Sequence, residues 1–294
     1  MYKQNSIFAC IWVALLFFST VALSAQDLKA YQIFDKEGKI VTFQALFQQA
    51  SENDVVLFGE LHNNPIGHWL QLELTRALHA AKQKNLVLGM EMFEADNQLL
   101  IDEYFSGLIA ERNFVAEARV WSNYHTDIKP LVEFARENGL KLMATNVPRR
   151  YAALVNREGF EGLENLSVEA RSFIAPLPVA YDPDLPGYKA MLEMTGMPAH
   201  ASENFPKAQA IKDATMAHFI LAGFSPGNVF IHFHGAYHSN NYEGIVWYLR
   251  NEQPELQLVT ISTVEQQQVE ALDESNIGIA DFIIAVPATM TKTY

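Results

Sequence analysis

The stretch Val55-Val56-Leu57-Phe58-Gly59-Glu60-Leu61-His62-Asn63-Asn64-Pro65 sets the reading of everything around it. Its four consecutive apolar residues read as a strand buried on both faces, as in a parallel sheet. Gly59 breaks the run, and Glu60 and His62 follow where the strand ends. Asn64-Pro65 opens a helix, with asparagine as N-cap and proline at the first helical position. Open α/β sheets bind ligands beyond the carboxyl ends of their strands. Glu60 and His62 therefore stand where such a sheet keeps its chemistry.

The same grammar recurs downstream. Leu86-Val87-Leu88-Gly89-Met90 ends in Glu91, and Leu140 to Thr145 runs into Asn146-Val147-Pro148-Arg149-Arg150. Val229 to Phe233 runs into His234-Gly235-Ala236-Tyr237-His238. Ile66, Leu70, Leu74, Ala77, Leu78 and Ala81 at helical spacing predict a helix from Pro65 to about Lys84. Further helices are predicted over about 95–108, 127–138, 187–195, 208–222 and 242–250. Earlier, an edge strand at 40–43 and a short helix at 43–50 precede the first core strand. Two late strands fall at 257–262 and 282–286, and Trp121 and Tyr124 read as loop residues. Alternating strands and helices predict an α/β fold, a mainly parallel sheet flanked by helices. No linker divides the chain, so 26–294 reads as one domain with an embedded helical insertion at about 150–206. Within it, residues 176–186 hold Pro176, Pro178, Pro183 and Pro186 and read as a loop.

The chain has 294 residues, 49% of them hydrophobic, enough for a sizeable core. Its net charge of −13 argues against nucleic acid or an anionic membrane surface as partner. Residues 1–25 read as a secretory signal peptide. Lys3 precedes an apolar run from Ile7 to Leu23, and Ala22-Leu23-Ser24-Ala25 supplies the small residues of a cleavage site. An uncleaved membrane anchor is the competing reading of that run. Cleavage leaves no stable membrane span and an exported, periplasmic product. Cys10 is the only cysteine and lies inside the signal, so the mature chain has neither disulfides nor thiolate metal ligands.

Four strand ends carry polar groups: Glu60 with His62, Glu91, Asn146 with Arg149, and His234 with His238. On parallel strands these converge at one sheet edge. Buried carboxylates need partners, so their clustering predicts a functional cleft. As a hydrolase, the cleft would use Glu60 as general base, His62 or His238 as acid–base or metal ligand, Glu91 beside them, and Arg149 as oxyanion stabiliser. His232 and His234 share a strand face. His234 with His238 offers a second site, for a divalent metal. His68, His79 and His125 read as helix-face or surface residues.

Gly59-Glu60-Leu61-His62-Asn63-Asn64-Pro65, Gly89-Met90-Glu91-Met92-Phe93, Asn146 to Arg150, Gln209 to Ala217 and Gly235 to His238 together resemble the ChaN family. ChaN is the haem-binding uptake branch of a superfamily that also holds Tiki proteases and erythromycin esterases. The resemblance implies a periplasmic or surface protein that binds haem for iron uptake and hands it to haem-uptake machinery. It also implies a hydrolase ancestry. Some family members are lipoproteins, a role Cys10 is badly placed to serve. The motifs do not contain the iron ligand.

The insertion supplies candidates for it. Tyr181 lies near a series spaced by three from Tyr188 through Met191, Met194 and Met197 to His200. The series reads either as an apolar core face or as a haem wall with a ligand at one end. Ferric haem accepts phenolate ligands, so Tyr188 ranks first and Tyr181 second, with His200 or Arg149 near the propionates. A haem with exposed edges would also favour a haem-dependent homodimer. A binding module for another ligand stands as the third functional reading.

Overall fold

A computed structural model describes residues 28–193 and 203–294. Met194, Met197, His200 and the proposed signal peptide lie outside the described residues. In chain order the strands are β1 (Gln32–Asp35), β2 (Ile40–Val41), β3 (Val55–Glu60), β4 (Leu86–Glu94), β5 (Lys141–Asn146), β6 (Val229–Gly235), β7 (Leu258–Gln266) and β8 (Phe282–Pro287). They form one sheet in the order β2-β1-β8-β7-β3-β6-β4-β5. The six from β3 to β8 run parallel to their neighbours, and β1 lies antiparallel against β8 and β2.

Residue alternation fixes the two layers. Val56 and Phe58 point into one core and Val55 and Leu57 into the other, so the whole of β3 is buried. The first core lies under α1 (Phe43–Glu52), α2 (Pro65–Lys82), α3 (Gln98–Phe105), α4 (Glu111–Glu117) and α5 (Lys129–Glu137). The second lies under α6 (Arg149–Glu158), α9 (Phe205–Gly223) and α10 (Ile245–Glu252), with α7 (Val168–Arg171) and α8 (Pro186–Glu193) between α6 and α9 in sequence. The α9 sequence is apolar around much of its circumference because α6, α8 and α10 all pack against it.

The chain leaves β3 toward β4 on one side, and leaves its neighbour β7 toward β8 on the other. Strands β6, β4 and β5 extend the sheet on one side of β3, and β7 and β8 on the other. Such a switch point opens a crevice at the carboxyl ends of the central strands. The loops after β3, β4, β6 and β7 surround that crevice.

One sequence expectation changes: Tyr124 sits in a π-helical turn, Tyr124–Ile128, rather than a loop. Residues 111–117, which carry no prediction from sequence, are helical. Tyr124 is fully buried, its ring 6.1 Å from Phe114, which itself stacks on Tyr104 at 4.9 Å. An aromatic cluster, not local periodicity, orders this segment. Among the described residues no helix is long and apolar enough to cross a membrane.

Candidate functional site

Glu60 ends β3 inside the protein, 2% exposed. Its carboxylate is held by Gln71 Nε2 at 2.6 Å and faces His62 Nδ1 at 2.9 Å. The loop that places His62 is fixed by its helix. Asn64 Oδ1 accepts from the Ile66 and Gly67 amides, so the first turn of α2 is capped by the loop that carries the imidazole. Behind Glu60, His68 lies between two carboxylates, 3.5 Å from Glu60 Oε2 and 3.6 Å from Asp127 Oδ2. Asn123 donates to both the His62 carbonyl and Asp127. His68 was expected as a helix-face or surface residue without a part in the site. It is buried instead, because the face of α2 next to Pro65 lies under the crevice.

The second half of the site comes from β4, β6 and α9. Glu91 is buried and accepts from the Gly235 amide at 2.7 Å. Its other oxygen lies 3.3 Å from His238 Nε2. Asp213, on α9, takes the Nδ1 side of the same imidazole. Tyr188 donates its hydroxyl to Asp213 Oδ2 at 2.8 Å, and Gln209 also reaches His238. The halves meet at Gly235. A Cβ there would lie 2.8 Å from His62 Cε1 and Nε2 and 3.7 Å from Glu91 Oε2. Only a residue without a side chain lets His62 and Glu91 approach this closely.

The electrostatics follow from burial and pairing. Burial alone would lower His238, but Glu91 and Asp213 on either side outweigh it and push it up to about 10. Glu91 is moved the other way: burial would raise it, but the charge and hydrogen bond of His238 hold it well below the usual carboxylate range. His62 is raised for the same reason as His238, its desolvation outweighed by the hydrogen bond to Glu60 and the charges of Glu91 and Glu60. His232 and His234 behave oppositely. Burial pushes His232 down to about 3 and His234 well below its ordinary value, so both are neutral at pH 7.

These environments sort the candidate residues. His238 is a sealed imidazolium, 5% exposed, with no free lone pair at neutral pH. His234 shares its nitrogens with His232 (3.0 Å) and Ser239 (2.8 Å). Both rings expected at a second metal site have protein partners in the structure: His234 holds His232 and Ser239, and His238 lies between Glu91 and Asp213. Among the described residues no group of three His, Cys, Asp or Glu side chains is arranged to hold a metal ion. Tyr188 is buried and committed to Asp213, and burial and that carboxylate push its phenol far up. Tyr181 lies beside it, with ring centroids 5.6 Å apart and a second aromatic contact to Phe160. The two tyrosines and Met191 thus form a small aromatic core against α9. Arg149 stands exposed at the first position of α6. Asp213, Gln71, His68 and Asp127 were not anticipated as site residues. Asp213 lay within the quoted Gln209–Ala217 segment, and that was its one sequence signal.

Above the buried groups lies an open cleft of about 470 Å³, lined by Glu60, His62, Gly235, Tyr237 and His238 with Leu61, Ala236 and Val264. His62 keeps 38% of its side chain exposed and meets Trp121 edge-on at 4.8 Å. Tyr237 is 47% exposed. A smaller pocket of about 240 Å³, near Pro178 and Tyr248, holds none of these groups.

A parallel α/β sheet with a carboxylate–imidazole cleft beyond its central strands defines the class of protein. Residues 46–249 match the family described as "Haem-binding uptake, Tiki superfamily, ChaN", and the chain belongs to that family. The haem-binding ChaN of Campylobacter jejuni, whose structure is described as cofacial heme binding, is similar at 17% identity. The match covers 88% of this chain and 98% of that one with a TM-score of 0.64, which establishes a shared fold. The type III effector HopBA1 is more distant: 14% identity, 82% and 91% coverage, TM-score 0.48. An erythromycin esterase, EreC, matches at 12% identity, 88% and 83% coverage, TM-score 0.46. No curated protein matches the chain.

Proposed function

We propose that this chain is an exported haem-binding protein of an iron-uptake system and that haem, its cargo, sits over the cleft with His62 as iron ligand. The family match, which spans β3 to β6 and so every strand end of the cleft but that of β7, carries the reading. The chemistry of the cleft fits the cargo. Glu60 beside Nδ1 assigns the proton to that nitrogen and leaves the His62 Nε2 lone pair for iron, as carboxylate partners of metal-binding histidines do. Trp121, Tyr237, Leu61, Ala236 and Val264 supply apolar surface for a porphyrin plate. Tyr237, with its hydroxyl donated to the Gly187 carbonyl, is the phenol at the cleft itself. Tyr188, ranked first from sequence, would have to leave Asp213 to reach iron, which argues against it.

The test is a titration of the cleaved protein with ferric haem, with stoichiometry and mass followed together. Tight binding with an imidazole-type spectrum that His62→Ala removes is the expected result. A phenolate charge-transfer band lost in Tyr237→Phe would move the ligand to that residue, and no saturable binding would end the reading. The same mass measurement reports any haem-dependent homodimer. Mass spectrometry of protein from the native envelope tests cleavage near Ala25.

One observation favours a hydrolase as the second reading. Glu60 and Glu91 approach His62 from two sides, a geometry that can hold and deprotonate a water. Turnover of an ester or peptide substrate, abolished by Glu60→Gln with the fold intact, would establish it.

A further inference from the structure

The floor of the cleft carries Glu60, Glu91, Asp127 and Asp213 within the contacts of His62, His68 and His238. Ferric porphyrin presents a cationic centre and two carboxylates at one edge. This floor suits the centre and repels the carboxylates, so they need cations beyond it. Two arginines meet on the β4–β5 side. Asp96 binds Arg119 through Oδ1 and Arg150 through Oδ2, the second at 2.6 Å, and Glu94 adds a bond to Arg119 at 3.0 Å. Arg149 is the neighbouring exposed residue. Two guanidiniums share two carboxylates here, and each keeps N–H donors beyond those bonds.

We infer that Arg119 and Arg150, gripped by Asp96, form a carboxylate-binding subsite that takes a propionate of the porphyrin; the inference rests on the haem reading above. Four observations support it. Glu94, which Arg119 binds, lies three residues beyond Glu91 on β4, so the arginines stand at the carboxyl edge of the sheet that carries the cleft. Both guanidiniums are preorganised yet accessible. They are half exposed, Arg150 rests 4.5 Å over the Tyr151 ring, and each retains N–H donors that Asp96 does not use. Arg149 and Arg150 open α6, where the helix dipole disfavours cations, so their placement is not explained by helix stability. Arg119 adopts φ of +52°, a left-handed conformation costly for a residue with a Cβ, and its guanidinium binds both Glu94 and Asp96. Lys292 is paired with Glu265, a cleft residue.

The experiment compares ferric haem with its dimethyl ester, on wild type and on the Arg119→Gln/Arg150→Gln double variant. Wild type should bind the diacid about tenfold more tightly than the ester, the scale of one or two partly exposed charge-assisted bonds. The double variant should bind both equally, at the affinity wild type shows for the ester. Arg119→Lys/Arg150→Lys should recover part of the preference, since charge remains and the planar fork does not. Equal affinity of wild type for diacid and ester overturns the subsite, and that arm needs no variant to fold. A double variant that melts as wild type does and keeps the preference overturns it as well. If wild type binds neither compound, the haem reading itself fails and the subsite with it.

Discussion

Two glycines show how one missing side chain serves different ends. At Gly59 an added Cβ would meet Ala236 Cα at 2.7 Å and the Ile261 carbonyl at 3.2 Å. Backbone cannot yield there, so Gly59→Ala should cost about 1–3 kcal/mol in denaturant titration. At Gly235 the obstacle is the imidazole of His62, which can turn away. Gly235→Ala should leave most of the stability intact but displace His62, and the haem spectrum should change while the melting temperature moves little. His238 makes a prediction about pH. Its folded value, near 10, lies above its unfolded one, so its stabilisation is complete below about 6.5 and fades as pH rises through 10. Glu91 runs the other way, its contribution present above its ordinary value and lost on acidification. The ring of His238, faced by Glu91, Asp213 and Gln209 with His234 and His62 nearby, should therefore show no titration between pH 6 and 8 by NMR. A midpoint near 6.5 would contradict the burial and pairing described for it.

At the scale of elements, the segment from β3 into α2 is a single device, since Asn64 caps the helix and anchors the His62 loop. Asn64→Ala should destabilise by about 0.5–2 kcal/mol and weaken haem binding beyond what the stability loss explains. Calorimetric melting beside a haem titration separates the two effects. This segment was also the most legible part of the sequence. The apolar run, Gly59 and Asn64-Pro65 are local signals with local causes, and the other strand-end motifs read the same way. What stayed hidden depends on distant packing. His68 looked like any helix histidine until α2 was laid beside Glu60 and Asp127. Asp213 sits on a helix so apolar that one acid in it carried no periodic signal, and its partners Tyr188 and His238 lie 25 residues away on either side. The bond from Tyr188 to Asp213 was hidden too, because spacing shows which residues share a face, not which hydroxyl is already engaged. The π-helical turn at Tyr124–Ile128 has no sequence period of its own and is ordered by its aromatic neighbours.

For the whole molecule, the arrangement of the strands has a consequence for how the protein comes into being. β3 is made early, but its partners on the two sides are β6 and β7, which emerge long after it. Until then both edges of a strand that is apolar from Val55 to Phe58 are bare, and the cleft has one wall. Pairings this distant in sequence close slowly, because the loop entropy must be met before any contact forms. A nascent chain ending before Val229 should therefore be an aggregation-prone intermediate in need of a holding chaperone, whatever helices it has formed. Limited proteolysis of a fragment covering residues 26–228 would show this as cleavage within 55–60, a stretch that the complete chain should protect.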